Sequence, residues 1–214
     1  MSSEIRMTTY LNNITNEEIN KLETCFFSGA IHVISSLKSI PPAINRLKNY
    51  SVIGFDTETK PSFKKGKTNK VSLIQLAVQD EVFLFRINKT GLAPELIELF
   101  KNSNIVKVGV SIRDDLKKLI HIKKFNPSGF IELQDYSDFF AIESNSLKKL
   151  AAIVLGVKVS KSQRLTNWEA PELSDAQLLY AATDAWVCLQ IYQKLRESSY
   201  RTLQNTTNQD SLTE

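Results

Sequence analysis

Hydrophobic and polar positions change period several times along this chain, and each change marks an element. From Thr15, the string Thr-Asn-Glu-Glu offers a helix cap with acids in the first turn, and Ile19, Leu22, Cys25 and Phe26 follow at helical spacing. That spacing predicts a helix ending near Gly29. Residues 31–34 form a short β-prone run, and Pro41 and Pro42 open a second helical stretch reaching Leu47. These parts read as a cover over one edge of a sheet. Residues 52–57 are a first central strand. After a lysine-rich loop, residues 71–78 and 81–87 are two more strands, linked so closely at Gln79-Asp80 that a hairpin is expected, and the three form an antiparallel meander.

Beyond the meander the pattern alternates. Residues 93–101 are helical, 105–110 a strand, 114–121 helical and 130–133 a short strand, which implies parallel strands with helical crossovers. From Ser146 the chain is mostly helical. Leu147, Leu150, Ala151 and Val154 share a face, and Gly156 is a natural stop. Residues 158–171 form a basic loop carrying a tryptophan, and Leu173-Ser174-Asp175 caps a last long helix running to about residue 197. The first 13 residues are polar and patternless, and the tail after Tyr200 is rich in Asn, Gln, Thr and Ser, so both are expected to be flexible. The expected organisation is an extension with one helix over residues 1–29, a domain over 30–200 and a tail over 201–214.

Composition narrows the picture only a little. The 214 residues, 42% hydrophobic and 23% charged, suit a soluble globular domain with a sizeable core. No stretch approaches a membrane span, and the N-terminus lacks the basic-then-apolar pattern of a secretory signal, so a cytoplasmic location is the default expectation. Cys25 and Cys188 lack metal-ligand spacing and read as buried free thiols. The net charge of +4 is modest, but Lys60, Lys64, Lys65, Lys67 and Lys70 fall in one segment without an acid. Lys117, Lys118, Lys123 and Lys124 form another group. A charge run is commonly a solvated face. Lysines around an acidic centre would also hold a phosphodiester backbone that the acids alone repel.

The acidic centre is suggested by position. Asp56 and Glu58 lie two residues apart on the first strand, and a strand sends both to one face. Alone, such a pair is weak evidence. Asp115 and Asp184 sit in equally apolar settings, Asp184 being the one charged residue between Ala176 and Gln193. A buried carboxylate needs a proton, a cationic partner or a metal, and four acids converging on divalent cations would account for all of them. Oxygen ligands favour hard ions, Mg²⁺ first and Mn²⁺ second, and no Cys or His cluster suggests zinc. Tyr180 lies one helical turn before Asp184, on the same face. His32 and His121 show no partner spacing and read as structural.

In chain order, Asp56-x-Glu58, Asp115 within Val108-Gly109-Val110-Ser111-Ile112-Arg113-Asp114-Asp115-Leu116, and Tyr180-Ala181-Ala182-Thr183-Asp184 resemble the three motifs of the DEDD 3′-5′ exonucleases of the tyrosine subtype. The resemblance is to the Werner-type exonuclease domain and its ribonuclease D relatives, over roughly residues 30–197. It includes Lys70-Val71-Ser72-Leu73-Ile74-Gln75-Leu76 and Thr166-Asn167-Trp168. It implies an α/β, ribonuclease H-like fold, a mixed sheet of five to six strands flanked by helices, and removal of nucleotides from a 3′ end. Helix geometry lets only one of Asp114 and Asp115 point inward. The family pattern Asp-Leu-x-x-Leu selects Asp115.

Phosphodiester hydrolysis with two ions then distributes the residues. Asp56 would bridge both ions, Glu58 and Asp184 would hold the ion carrying the attacking water, Asp115 would support the second, and Tyr180 would orient the water. Candidate contacts to nucleic acid are Lys64, Lys65 and Lys67, then Leu73 and Ile74 as a wedge under the terminal base, and Arg164 and Trp168 as clamp and stacking platform. The expected substrate is a single-stranded 3′ end, DNA ahead of RNA. A ribonuclease of the same mechanism and a non-catalytic nucleic-acid-binding module are the alternatives. The presence of all four acids with the tyrosine favours the enzyme. No membrane partner is expected, and protein partners are not legible.

Overall fold

A computed structural model describes residues 10–62, 69–143 and 146–210. In chain order the elements are α1 (Asn16–Asn20), β1 (Ala30–Ile34), α2 (Ile40–Leu47), β2 (Val52–Thr59), β3 (Val71–Ala77), β4 (Glu81–Phe85), α3 (Ile87–Thr90), α4 (Pro94–Lys101), β5 (Val106–Gly109), α5 (Ile112–Ile122), β6 (Phe130–Glu132), α6 (Leu133–Asp138), α7 (Leu147–Leu150) and α8 (Asp175–Asp210). Helix α7 continues into a π-helical turn at Ala151–Leu155. Gly156, at φ 70°, ends it in a left-handed conformation that few other residues adopt cheaply.

The strands form one sheet in the order β1-β4-β3-β2-β5-β6. Strands β2, β3 and β4 are the antiparallel meander that the alternation predicts. Strands β5 and β6 join it parallel to β2 and to each other, through helical crossovers. One sheet face carries Ile53, Phe55, Ile74, Leu76, Phe83 and Phe85, which bury against apolar residues of α2, α4 and α5. The opposite face carries Leu73, Ala77, Val82 and Leu84 and is covered by Ala181, Ala182 and Ala185 of α8. The small residues let α8 lie close to the sheet. A Cβ on Gly54 would collide with the carbonyl oxygen of Ala185 and stand 3.0 Å from its carbonyl carbon and 3.2 Å from Leu189 Cβ.

Three expectations need correction. The N-terminal helix stops at Asn20 rather than near Gly29. A capping box between Thr15 and Glu18 starts it, but the chain beyond finds partners elsewhere. Cys25 N–H donates to Lys158 O at 2.8 Å, and Phe27 N–H donates to Thr183 Oγ1 at 3.1 Å. These bonds need an extended backbone and displace helical ones. Residues 31–34 are not a cover over the sheet edge but belong to β1, the edge strand itself, paired parallel to β4. Helix α8 runs on to Asp210, past its expected end near residue 197. Residues 1–9 and 211–214, on which part of the flexible-terminus expectation falls, lie outside the described residues. Among the described residues no helix is long and apolar enough to cross a membrane.

Candidate active site

Strand β2 delivers the first two acids. Asp56 stands opposite Gln75 and Glu58 opposite Leu73, so both project to the face that α8 covers. The third acid comes from α8, whose start is fixed by a reciprocal cap. Ser174 Oγ accepts from Gln177 N–H at 3.3 Å, and Gln177 Oε1 accepts from Ser174 N–H at 3.1 Å. One turn farther along come Tyr180 and then Asp184, on one helical stripe. Asp56, Glu58 and Asp184 each offer an oxygen within 4.8 Å of those of the other two.

Asp115 enters from the first turn of α5. The Glu132 carboxylate accepts from the Ser111 and Ile112 N–H groups at 2.9 and 2.8 Å, satisfying the helix start from the neighbouring strand. Asp115 is buried, with Oδ1 3.4 Å from Lys118 Nζ, whereas Asp114 faces solvent and pairs with Lys117 at 3.0 Å. Asp115 stands outside the 4.8 Å trio but adds to its field.

The electrostatics are those of crowded, dehydrated carboxylates. Burial, then Asp184, Glu58 and Asp115, push the Asp56 carboxyl well above the usual carboxylate range. Burial and the charges of Asp184 and Asp115 raise Glu58 to about 9, against the pull of Arg164 and Lys118. Burial raises Asp184 to about 7, opposed by the Tyr180 hydroxyl and Lys161. Burial also raises Asp115, opposed by the Thr57 hydroxyl and Lys118. The same burial and nearby charges push the Tyr180 phenol up, so its hydroxyl stays protonated and acts as a donor. A set of hard oxygen donors that repel one another at this spacing is the donor set a divalent cation prefers.

A cavity of about 330 Å³ opens onto Asp56, Glu58, Tyr180 and Asp184, with Lys161 and Arg164 in its wall. Arg164 is exposed there, where a clamp would have to be. Three other expected contacts are corrected by burial. Leu73 and Ile74 are fully buried on opposite faces of the sheet, Leu73 under α8 and Ile74 in the other core. Trp168 is also fully buried, its ring centroid 6.0 Å from that of Tyr180, so it backs the tyrosine and presents no face to a nucleotide. Lys64, Lys65 and Lys67 lie outside the described residues. Sequence reading missed Lys148, Ser160 and Lys161 as cavity residues. Only the basic character of the 158–171 loop pointed toward the last of them.

Residues 31–199 match the family model of the 3′-5′ exonucleases. The chain belongs to that exonuclease family. It is 39% identical over 156 residues to the bifunctional 3′-5′ exonuclease/ATP-dependent helicase WRN of Mus musculus, a match covering 70% of this chain and 11% of that protein. It is 29% identical over 194 residues to ribonuclease D of Haemophilus influenzae, covering 88% of this chain and 47% of that one. The crystal structure of the Aedes aegypti Nibbler EXO domain superposes with a TM-score of 0.69 at 27% identity, covering 78% of this chain and 88% of that one. The chain thus has the ribonuclease H-like fold and belongs to a family of hydrolases that act on nucleic acid. Its acid cluster and its family together point to the use of divalent metal. It spans between 11% and 52% of the length of the first curated relatives it matches.

Proposed function

We propose that this exonuclease shortens single-stranded DNA from its 3′ end, releasing nucleoside monophosphates, with two Mg²⁺ or Mn²⁺ ions as cofactors. The observation that carries the reading is the trio of Asp56, Glu58 and Asp184 with Tyr180 one turn away in the same cavity. Asp56, Glu58 and Asp184 would hold the ions, and Asp115 would support them from α5. When bound, such ions acidify a water and relieve charge on the departing 3′ oxygen. Tyr180 keeps its proton and lines the same cavity one turn from Asp184, so its hydroxyl is poised to orient a water beside that carboxylate. Arg164 and Lys161 at the cavity wall offset the charge of the incoming phosphate. DNA leads as the substrate expected of the Werner-type motifs, the side of the family to which the chain is 39% identical, against 29% for ribonuclease D. RNA is the second reading, favoured by the 88% of this chain that the ribonuclease D match covers.

The test is degradation of matched 5′-labelled DNA and RNA oligonucleotides with Mg²⁺, Mn²⁺ or a chelator. A metal-dependent ladder shortening from the 3′ end is expected, faster on DNA. A faster RNA ladder would reassign the substrate, and binding without shortening under any metal would remove the enzymatic reading. Tyr180→Phe should lower kcat on the order of 10²-fold with KM nearly unchanged. An undiminished kcat would take the tyrosine out of the chemistry. Changing Lys64, Lys65 and Lys67 together to alanine should reduce the slope of log affinity against log salt by about 2, at roughly 0.7 per phosphate contact on single strands. Metal binding should be unaffected, and an unchanged slope would exclude that loop as a backbone contact.

A further inference from the structure

The segment just ahead of the family match runs beside the catalytic cavity, bordering a hollow that shares Ser160, Tyr180 and Asp184 with it. Thr24 bridges to Lys158, Cys25 N–H donates to Lys158 O and Lys158 N–H donates to Glu23 O, both at 2.8 Å. Phe27 N–H then donates to Thr183 Oγ1 at 3.1 Å, one residue before Asp184. Pinned at both ends and extended, the segment turns successive side chains to opposite sides. Phe27 goes inward, 5% exposed and packed 5.9 Å from the Trp186 ring. Phe26 goes outward and is 53% exposed, with no ring partner among the described residues.

Phe26 borders two hollows. One, of about 110 Å³, is shared with Cys25, Ser160, Tyr180, Thr183 and Asp184 and so abuts the acid cluster. The other, of about 440 Å³, is shared with Lys148, Lys158 and Lys161, and no carboxylate lines it. Lys148 and Lys161 also line the catalytic cavity, which makes one continuous path from the acids past the lysines to Phe26. None of the three lysines forms an ion pair with a carboxylate among the described residues, and Lys148 donates to the neutral Asn16 amide at 3.1 Å. An exposed aromatic beside cations that no carboxylate pairs is how proteins hold a single strand without reading its sequence: bases stack on the ring while phosphates meet the lysines. Trp168, the aromatic that the sequence singled out for stacking, is sealed inside.

We propose that Phe26, presented by the 23–27 segment, is the nucleobase-stacking residue for a base close to the 3′ end, and that Lys148, Lys158 and Lys161 hold the adjoining phosphates. The polarity of the strand in this proposal rests on the exonuclease reading; the stacking itself does not. The test uses the full chain carrying Asp56→Asn, so that the oligonucleotide is not consumed, and measures affinity for a single-stranded DNA oligomer. Phe26→Ala should weaken binding roughly 5- to 100-fold, and Phe26→Trp should restore it. In a series of oligomers with one abasic site moved along the strand, the penalty of Phe26→Ala should vanish at one position near the 3′ end and persist at the others. Unfolding temperatures of both variants, expected to match the parent because the ring is on the surface, separate binding from folding.

Binding by Phe26→Ala within about twofold of the parent, or a penalty equal at every abasic position, would overturn the proposal even if the native chain degrades DNA normally. If instead the native chain shortens nothing while the position-specific penalty appears, the exonuclease reading fails and the stacking site stands. Changing Lys158 and Lys161 to alanine should reduce the salt slope by about 1.4. No change in slope would remove the lysines from the path.

Discussion

Replacing Asp56 with asparagine should stop cleavage and, without divalent cations, make the protein more stable. Loss of the central carboxylate should lower kcat by about 10³-fold or more, beyond the cost of losing a single hydrogen-bond donor. The stability gain follows from the sign of the pKa shifts. Asp56, Glu58 and Asp184 are all raised in the folded state, Glu58 to about 9 and Asp184 to about 7. A carboxyl raised above its unfolded value favours the fold while it is protonated. That contribution is complete below the ordinary carboxylate range and is lost as pH climbs through the folded value. The metal-free protein should therefore lose stability steadily between about pH 4 and pH 9.

At pH 8 in chelator the parent folds only by burying the Asp56 charge among like charges or by taking up a proton there, and Asp56→Asn removes that cost. It should unfold several degrees above the parent, consistent with about 1–3 kcal/mol and roughly 2–4 °C per kcal/mol at this chain length. Near pH 5 the difference should shrink, because the parent's own acids are then protonated. Divalent cation should raise the parent's Tm and leave the variant's nearly unmoved. A variant less stable than the parent in chelator at pH 8 would contradict the electrostatic account of the site.

Gly54→Ala is expected to be strongly damaging, because among the described glycines this is where an added methyl meets backbone most closely. The new Cβ would strike the Ala185 backbone, which cannot rotate aside as a side chain can, so α8 has to move off β2. Overpacking of this kind costs about 1–3 kcal/mol or more, and Tm should fall by roughly 5–10 °C. Because Asp184 directly precedes the obstructed residue, the trio would spread apart. Displacements near 1 Å can cost about 10²-fold in rate. Calorimetry and kcat on the same preparation check both effects. A folded Gly54→Ala enzyme of undiminished rate would show that the helix tolerates the shift without disturbing the acids.

What was legible in the sequence depended on whether a residue's fate was set by its near neighbours. The meander and the β5–α5–β6 crossovers were readable because period two and period 3.6 are local signals, and so were the acids, which break an apolar pattern. The helix expected through Phe26 was not, because Ile19, Leu22, Cys25 and Phe26 have genuine helical spacing. What straightens the chain there is Lys158 and Thr183, the latter bonded across 156 positions. Trp168 was equally undecidable. Its loop is drawn inward by Arg86 and Lys89, which donate to Ala170 O and Pro171 O from beyond β4, and no pattern around the tryptophan records that. Lys148 and Lys161 gave little sign because a surface lysine is the commonest of residues.

The trio is split between β2, in the first third of the chain, and α8, in the last. During synthesis the ribosome therefore releases Asp56 and Glu58 long before Asp184 exists to meet them. The strand that carries them cannot by itself gather the full ligand set, and α8 can dock only after Gly54 and the sheet are in place to receive it. Assembly order therefore decides when the ligand set exists: until α8 has folded onto the sheet, Asp56 and Glu58 stand without Asp184.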